Sequence, residues 1–233
     1  MPALSIRLPA PSIEVFSVDG ARCPPGLFEV LDRFERRRHE RAARHGRSGY
    51  GAGRVALRLL LGAELDVAPE RVSLVRRCAA CGGAGHGKPA LAAAGSGEIG
   101  FSIATSGGVT LIAVVRRGEV GVDLERVPPP GALAWPRPCF SDLEREQLSR
   151  LAPRRRPEAT VRSWVRKEAV AKCIGQGLAM ALRTVEVSGA GSGWRLPDPS
   201  VSVADLELAL PFVAAVACDR QAPPPVVHDW RWK

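Results

Sequence analysis

Two acidic residues, Asp123 and Glu125, stand two positions apart in the segment Gly121–Glu125. If this segment is a strand, alternation places both carboxylates on one face, whereas Val122 and Leu124 point into the core. Two like charges on one face are unfavourable unless a cation or a proton lies between them. Mg²⁺ often takes one or two carboxylates together with phosphate and water oxygens. The pair therefore indicates either a magnesium site or two acids that face solvent or pair with arginine, and alone it favours the second.

A second group of polar residues lies in the segment Trp164–Lys172, which contains Lys167, Glu168 and Lys172. On a helix, Glu168 and Lys172 are four positions apart and share a face, so an exposed salt bridge is the simplest interpretation. Trp164 lies on that same face, one turn before Glu168. A face that carries an aromatic ring beside a charged pair is expected to be partly buried, and polar groups there are candidates for function.

The surrounding sequence predicts the elements that position these groups. A capping box, Ser141-Asp-Leu-Glu144, begins a helix that ends near Leu151. Further helices are expected at 27–47, 52–65 and 158–175. Strands are expected at 5–18, 72–75, 101–105, 109–115, 120–127, 184–188, 193–196 and 205–218. Each half of the chain thus combines helices with antiparallel strands, and no glycine-rich motif of a nucleotide-binding α/β fold is present.

Composition limits the class of protein. The 233 residues are 45% apolar and 24% charged, which is ordinary for a globular protein with a core. The sequence shows neither a signal peptide nor an apolar run of spanning length, so we expect a cytoplasmic protein without a membrane partner. The net charge of +9 favours polyanionic partners. Only four of the 33 basic residues are lysines, and three of them lie within motifs: Lys88, Lys167 and Lys172.

The two polar segments, in this order and about 40 residues apart, resemble the signature of the 4'-phosphopantetheinyl transferases, in particular the large monomeric surfactin-synthetase-activating type. Three weaker matches follow the same order along the chain. They are Gly87-Lys88-Pro89, the strand and turn at 101–107, and Phe140-Ser141-x-x-Glu144. The resemblance covers residues 30–220.

This resemblance implies an α+β fold, a pseudo-dimer of two similar halves in which each half is a small antiparallel sheet packed with helices. The first half would be 1–117, with the coenzyme A phosphate contacts, and the second would be 118–220, with the metal and catalytic residues. Outside the resemblance, the prolines and the two tryptophans of residues 221–233 predict a tail that lies extended on the surface.

The resemblance also implies an activity, the transfer of 4'-phosphopantetheine from coenzyme A to a serine of an apo acyl or peptidyl carrier protein, with release of 3',5'-ADP. Asp123, Glu125 and Glu168 would then bind Mg²⁺. Glu168 or a metal-bound water would deprotonate the serine, and Lys172 would neutralise or protonate the leaving group. Glu144 would either support the metal-bound waters or act only in its capping box.

Five residues are the expected coenzyme A contacts: Lys88, Arg44, Arg47, Thr105 and Ser106. Thr105 stands where the family usually has a histidine, so one cationic contact is missing. A charge-assisted hydrogen bond is about twice as strong as a neutral one, so coenzyme A binds more weakly unless an arginine compensates.

Other interpretations stay open. The basic charge also fits a nucleic-acid-binding protein, although the single tyrosine and the lack of a binding motif argue against it. Another Mg²⁺-dependent phosphoryl-transfer enzyme could use the same carboxylates. Cys78, Cys81 and His86 offer three ligands of a zinc site but no fourth, so an ordinary glycine-rich loop is favoured there. Polyketide or nonribosomal peptide synthesis is the expected pathway, by analogy only.

Overall fold

The computed structural model describes residues 12–44, 49–77, 82–83, 87–92, 98–129, 139–177, 182–187, 196, 198–209, 211–219 and 224–232. Within these ranges the α-helices are α1 (Arg33–Arg44), α2 (Gly49–Leu65), α3 (Asp142–Arg150) and α4 (Arg156–Ile174). The strands are β1 (Ile13–Asp19), β2 (Leu74–Arg77), β3 (Lys88–Leu91), β4 (Ile99–Ser106), β5 (Val109–Arg116), β6 (Val120–Arg126), β7 (Ser202–Leu206), β8 (Phe212–Cys218) and β9 (Val226–Asp229).

Two main sheets share one connection order. In the first sheet the strands are ordered β4-β5-β1-β9, and in the second they are ordered β6-β8-β7. Each sheet starts with a strand (β1 or β6), continues through a long helix (α2 or α4), and ends with an antiparallel hairpin whose last strand lies in the middle. The α+β class predicted from the sequence is confirmed, and the repeated order supports the expectation of two similar halves.

The two sheets pack against each other through a common core. One buried cluster contains Ile13 and Leu111 from the first sheet together with Val122, Leu124 and Val216 from the second. Val122 and Leu124 are 0% and 1% exposed, so the predicted inward direction of these two side chains is confirmed. On the outer faces, α2 packs against the first sheet and α4 packs against β6 and β8. The apolar area shared by the sheets stabilises the halves as one unit.

Gly121 allows α4 to lie very close to β6. A Cβ at this position would lie 1.9 Å from the carbonyl oxygen of Ala169 and 2.4 Å from the backbone nitrogen of Cys173. No side chain larger than hydrogen fits there without moving the helix. The glycine that opens the acidic motif therefore sets the distance between the strand and the helix that carry the polar residues.

Three segments differ from the sequence-based expectation. The chain before residue 33 forms a 3-10 helix (Pro25–Val30) rather than the start of α1, because Asp32 caps α1 through the amides of Phe34 and Glu35. The predicted strand at 184–188 begins as a 3-10 helix, Leu182–Thr184. The apolar run 205–218 forms two strands that pair as a hairpin instead of one strand. Residues 5–11 and 193–195 lie outside the described ranges.

The C-terminal tail joins the first sheet. β9 pairs in parallel with β1, from Glu14 opposite Val226 to Ser17 opposite Asp229. Trp230 and Trp232 then pack against the core under that sheet. The end of the chain thus returns to the first half. No helix in the described part of the chain is long and apolar enough to cross a membrane.

Candidate active site

Three carboxylates lie where β6 faces α4. Asp123 is buried, with 5% of its surface exposed, whereas Glu125 and Glu168 are half-buried. Burial raises the pKa of all three, and the charges on their acidic neighbours add to this effect for Glu125 and Glu168. The pKa of Glu168 reaches about 7, because burial acts together with the nearby Asp123 and Glu125. These groups are close enough to feel one another's charge, which is the pattern of an ionisable site rather than of separate surface acids.

Lys172 supplies the positive charge in this group. Its Nζ atom donates to Oδ1 of Asp123 at 2.6 Å and to the carbonyl oxygen of Val122 at 3.1 Å. The lysine thus bridges from α4 to β6 instead of forming a helical salt bridge with Glu168. Its charge lowers the pKa of both Asp123 and Glu168, against the larger effect of burial.

Two carboxylate oxygens here are buried without a hydrogen-bond partner: Oδ2 of Asp123 and Oε1 of Glu168. A buried acceptor without a partner is costly, so an absent cation or proton is the natural explanation. The donor type fits Mg²⁺, which prefers carboxylate oxygens. Within the described residues, however, no three acidic, histidine or cysteine side chains form a ready-made metal cage. The site therefore fits Mg²⁺ through the chemistry of its oxygen donors. Lys172 occupies Oδ1 of Asp123, and Oδ2 of the same carboxylate has no partner among the described residues.

The C-terminal end of β4 reaches the same site from the first half of the chain. The Ser106 hydroxyl donates to Oε2 of Glu125 at 2.9 Å. The Thr105 hydroxyl instead shares a hydrogen bond with Thr110 at 2.8 Å, and Thr110 in turn contacts the carbonyl oxygen of Gly49 at the start of α2. Thr105 therefore faces the N-terminus of α2, whereas Ser106 faces the carboxylates.

Lys88 lies at the junction between the halves. Its Nζ donates to Oε2 of Glu119 at 2.5 Å, to the carbonyl oxygen of Val120 at 2.8 Å and to that of Cys173 at 3.5 Å. The ammonium group thus joins β3, the start of β6 and the last turn of α4, where a cation is favourable. Its side chain is 16% exposed, and protein oxygens surround the charge.

A cluster of three arginines gathers around Tyr50 in the first half. The guanidinium groups of Arg38 and Arg54 lie 5.3 and 5.5 Å from the centre of the tyrosine ring. Burial and the charges of Arg54 and Arg38 lower the pKa of Arg76. The acid whose charge acts on Arg76 is Glu35, which is hydrogen-bonded to Arg58 at 2.6 Å. Like charges that converge in this way are unfavourable unless an anion binds between them.

Comparison with known proteins gives the family of the chain. Residues 119–195 match the 4'-phosphopantetheinyl transferase superfamily. The chain is also 31% identical over 180 residues to a protein of Synechocystis sp. that is provisionally named as a 4'-phosphopantetheinyl transferase. That match covers 76% of this chain and 70% of the relative. The chain belongs to the 4'-phosphopantetheinyl transferase family. The superfamily match includes both polar segments of this transferase, from Asp123 to Lys172.

The transferase uses two of its motif residues to hold α3 against α4. Lys167 and Glu144 are both fully buried, and Nζ of Lys167 lies 2.7 Å from Oε2 of Glu144. Glu144 also accepts from the amides of Ser141 and Val187, at 3.0 and 3.1 Å. Both oxygens of Glu144 are therefore occupied. The structure thus gives Glu144 the capping-box role that the sequence left as one of two alternatives.

The sequence did not indicate which arginines of the transferase would converge. Arg44 is exposed at the last turn of α1, and Arg47 lies outside the described residues, as do Cys78, Cys81 and His86. Arg38, Arg54 and Arg76 come from α1, α2 and β2, and only the packing of these elements brings them together. The sequence carries no signal for Arg76; the structure places it opposite Pro89 in the β2–β3 pair, beside the motif that contains Lys88.

Proposed function

We propose that this enzyme transfers 4'-phosphopantetheine from coenzyme A to a serine of an apo acyl or peptidyl carrier protein, giving the holo-carrier and 3',5'-ADP. The observation that carries the proposal is the pair of buried, unpartnered oxygens on Asp123 and Glu168, with Lys172 beside them. Family membership provides the reaction class, and these three groups provide suitable chemistry.

The proposed cofactor is Mg²⁺, held by Asp123, Glu125 and Glu168. When bound, it would supply positive charge that offsets the negative charge developing on the leaving phosphate. The unpartnered oxygens support this assignment because they are acceptors that no described protein group satisfies.

Glu168 is the proposed general base. Burial and the acidic neighbours raise the pKa of Glu168 to about 7 in the metal-free protein, but a bound cation would lower it, so a metal-bound water is the alternative base. The base would accept the hydroxyl proton of the carrier serine as the serine oxygen bonds to the phosphorus that carries the pantetheine arm. The bond between that phosphorus and the bridging oxygen of the pyrophosphate breaks, and the electron pair leaves with 3',5'-ADP.

Lys172 is the proposed counter-charge for the leaving group. Its ammonium lies one helical turn from Glu168 and is 28% exposed, so it can turn from Asp123 toward a phosphate oxygen. It would neutralise or protonate the phosphate of 3',5'-ADP as that group departs.

The arginine cluster is the proposed site for the phosphate groups of coenzyme A that lie far from the reaction. Arg38, Arg54 and Arg76 repel one another, and a bound phosphate would remove that repulsion while accepting charge-assisted hydrogen bonds. Such a site can compensate for the histidine that Thr105 replaces. The motifs alone also suggest Lys88, Arg44, Arg47 and Thr105 as contacts, but Arg44 is exposed at the end of α1, so the arginine cluster is the stronger candidate for the phosphate.

The finer assignments rest on analogy. We propose that the protein is of the large, monomeric, surfactin-synthetase-activating type, because its motifs resemble that type. By the same analogy, its proposed substrates are the carriers of polyketide or nonribosomal peptide assembly. The expected setting is the cytoplasm.

The decisive experiment is incubation with coenzyme A, Mg²⁺ and a panel of apo acyl and peptidyl carriers, followed by intact mass spectrometry. We expect a carrier to gain the mass of one phosphopantetheine group only when both coenzyme A and Mg²⁺ are present. The matched control is the Glu168→Gln variant, which keeps the size of the side chain and removes a proposed metal ligand together with the proposed base. An unmodified carrier throughout the panel would reject the proposal, and salt-sensitive DNA binding without coenzyme A binding would replace it.

A further inference from the structure

The hydroxyl of Ser106 lies between a carboxylate and a backbone amide of β6. It donates to Oε2 of Glu125 at 2.9 Å and accepts from the amide of Arg126 at 3.2 Å. A serine hydroxyl has a single hydrogen. Because its oxygen is fixed by the amide and its hydrogen points to the carboxylate, the hydroxyl holds Glu125 in a definite orientation.

A second serine of β4 makes half of the same arrangement. The Ser102 hydroxyl accepts from the amide of Val122 at 3.1 Å, in a buried position four residues earlier. Both serines therefore connect β4 to β6, where no regular strand ladder joins the two sheets. Only Ser106 also contacts an acidic side chain. Comparing the two serines therefore distinguishes the effect of a hydrogen bond between the strands, which both make, from the effect of the contact with Glu125, which Ser106 alone of the two makes.

Glu125 needs such a partner. It is half-buried near the charge of Asp123, and its side chain has three rotatable bonds. Holding a long side chain in one rotamer costs conformational entropy, and a fixed hydrogen bond reduces that cost at the moment of binding. The bond occupies Oε2 and leaves Oε1 as the oxygen available to a cation. Partners that orient a ligand in this way typically contribute 10- to 100-fold to metal affinity.

We infer that Ser106 is a positioning residue that orients the Glu125 carboxylate for a divalent cation, and not a ligand of coenzyme A. The inference rests on the proposed metal site. It also means that the first half of the chain, through the end of β4, controls the geometry of a metal ligand in the second half. This differs from the role that the motif suggested for Ser106.

The test measures Mn²⁺ affinity by electron paramagnetic resonance, with Mn²⁺ as the probe and saturating coenzyme A present. Ser106→Ala should weaken Mn²⁺ binding about tenfold or more, and Ser106→Thr, which keeps the hydroxyl, should restore it. Ser102→Ala is the matched control. It should lower the melting temperature, because the amide of Val122 loses its buried partner, but it should leave Mn²⁺ affinity unchanged.

A second measurement separates this role from a coenzyme A contact. Coenzyme A affinity of the metal-free protein, measured by calorimetry in chelator, should be the same for the wild type and Ser106→Ala. The inference is overturned if Ser106→Ala binds Mn²⁺ normally but coenzyme A weakly. It is also overturned if Ser102→Ala loses as much Mn²⁺ affinity as Ser106→Ala, since the effect would then be structural. Ser106→Cys, which is close in size and a weaker donor, should be intermediate and replaces Ser106→Ala if that variant does not fold.

Failure of the proposed metal site gives a different result. The Asp123→Asn variant should lose Mn²⁺ binding when the site is real. If the wild type binds no Mn²⁺, or if Asp123→Asn binds as tightly as the wild type, the metal assignment fails and this inference fails with it. If Asp123→Asn loses binding while Ser106→Ala keeps it, only the inference about Ser106 fails.

Discussion

Lys172 pairs with Asp123 across the gap between α4 and β6, and not with Glu168 one turn away on its own helix. Nζ of Lys172 lies 2.6 Å from Oδ1 of Asp123, which is 7% exposed at the side chain. The lysine thus compensates the most buried acid of the group. A cation bound to Asp123 would take over this role of the Lys172 ammonium group.

Replacing Lys172 with methionine should therefore make stability depend on Mg²⁺. In chelator, Lys172→Met should lower the free energy of unfolding by about 1–3 kcal/mol, because Asp123 loses its partner. Mg²⁺ should stabilise this variant more than the wild type, since it supplies the missing positive charge. Thermal melts with chelator and with Mg²⁺ measure both effects. Lys88→Met, which breaks the ion pair with Glu119 outside the proposed metal site, should show no added response to Mg²⁺. An equal response in both variants would contradict the assignment.

The pH dependence of the metal-free protein should reveal Glu168. Its pKa in the folded protein is about 7, above the ordinary glutamate value of 4.5. Between these values the folded state keeps a proton that the unfolded state has lost, so stability falls as pH rises through this window, by on the order of 1–3 kcal/mol. Urea unfolding in chelator at pH 5 and pH 8 measures the slope. Glu168→Gln should flatten it, and what remains belongs to Asp123 and Glu125, whose shifts have the same sign. An unchanged slope in Glu168→Gln would show that this carboxyl titrates normally.

The close approach of α4 to β6 can be tested at Gly121. Gly121→Ala would place a methyl group 1.9 Å from the carbonyl oxygen of Ala169, so the helix must move. We expect a loss of about 1–3 kcal/mol in stability and a larger relative loss of transfer, because Glu168 and Lys172 move with the helix. Gly26→Ala is the control, since no atom lies within 4 Å of the added methyl. Urea unfolding and carrier modification measure the two losses, and a fully active Gly121→Ala protein would contradict the packing argument.

Two variants should distinguish the arginine cluster from the exposed end of α1 as the phosphate site. Arg54→Gln should weaken binding of 3',5'-ADP by about tenfold or more, because a hydrogen bond to a charged group contributes about 1.5–3 kcal/mol. Because Arg54 is buried beside Tyr50 and its loss also removes packing, circular dichroism should show that Arg54→Gln keeps its fold. Arg44→Gln, at the exposed end of α1, should bind 3',5'-ADP nearly as well as the wild type. Calorimetry measures the affinity of both variants for 3',5'-ADP. A larger loss of affinity in Arg44→Gln than in Arg54→Gln would place the phosphate at Arg44 instead.

The net charge of +9 should steer an acidic carrier toward the enzyme. Raising salt from about 0.05 to 0.5 M shortens the screening length from roughly 14 to 4 Å. We therefore expect kcat/KM for the carrier to fall steeply while kcat at saturating carrier changes little, with coenzyme A kept saturating. Steady-state transfer assays at several salt concentrations provide the measurement. A kcat/KM that does not respond to salt would mean that the basic surface serves another partner.

Much of the local structure could be predicted from the sequence, because its signals are short-range. Alternation around Asp123 placed Val122 and Leu124 in the core, and the capping box at Ser141 gave the start of α3. The apolar run 205–218 was misjudged, since alternation cannot show where a buried strand turns back. The tail was expected to be extended, but its pairing partner, β1, is more than 200 residues away in sequence.

The sequence by itself determined the residue types of the site and their order, from Asp123 and Glu125 to Glu168 and Lys172, because spacing along one strand and one helix settles which side chains share a face. Only the tertiary structure decided the partners: Lys172 with Asp123, Ser106 with Glu125, and Arg76 with Arg38 and Arg54. Each of these pairs joins different elements. Their distances depend on how helices and sheets pack, and that packing is set by the summed burial of many distant residues rather than by any local pattern.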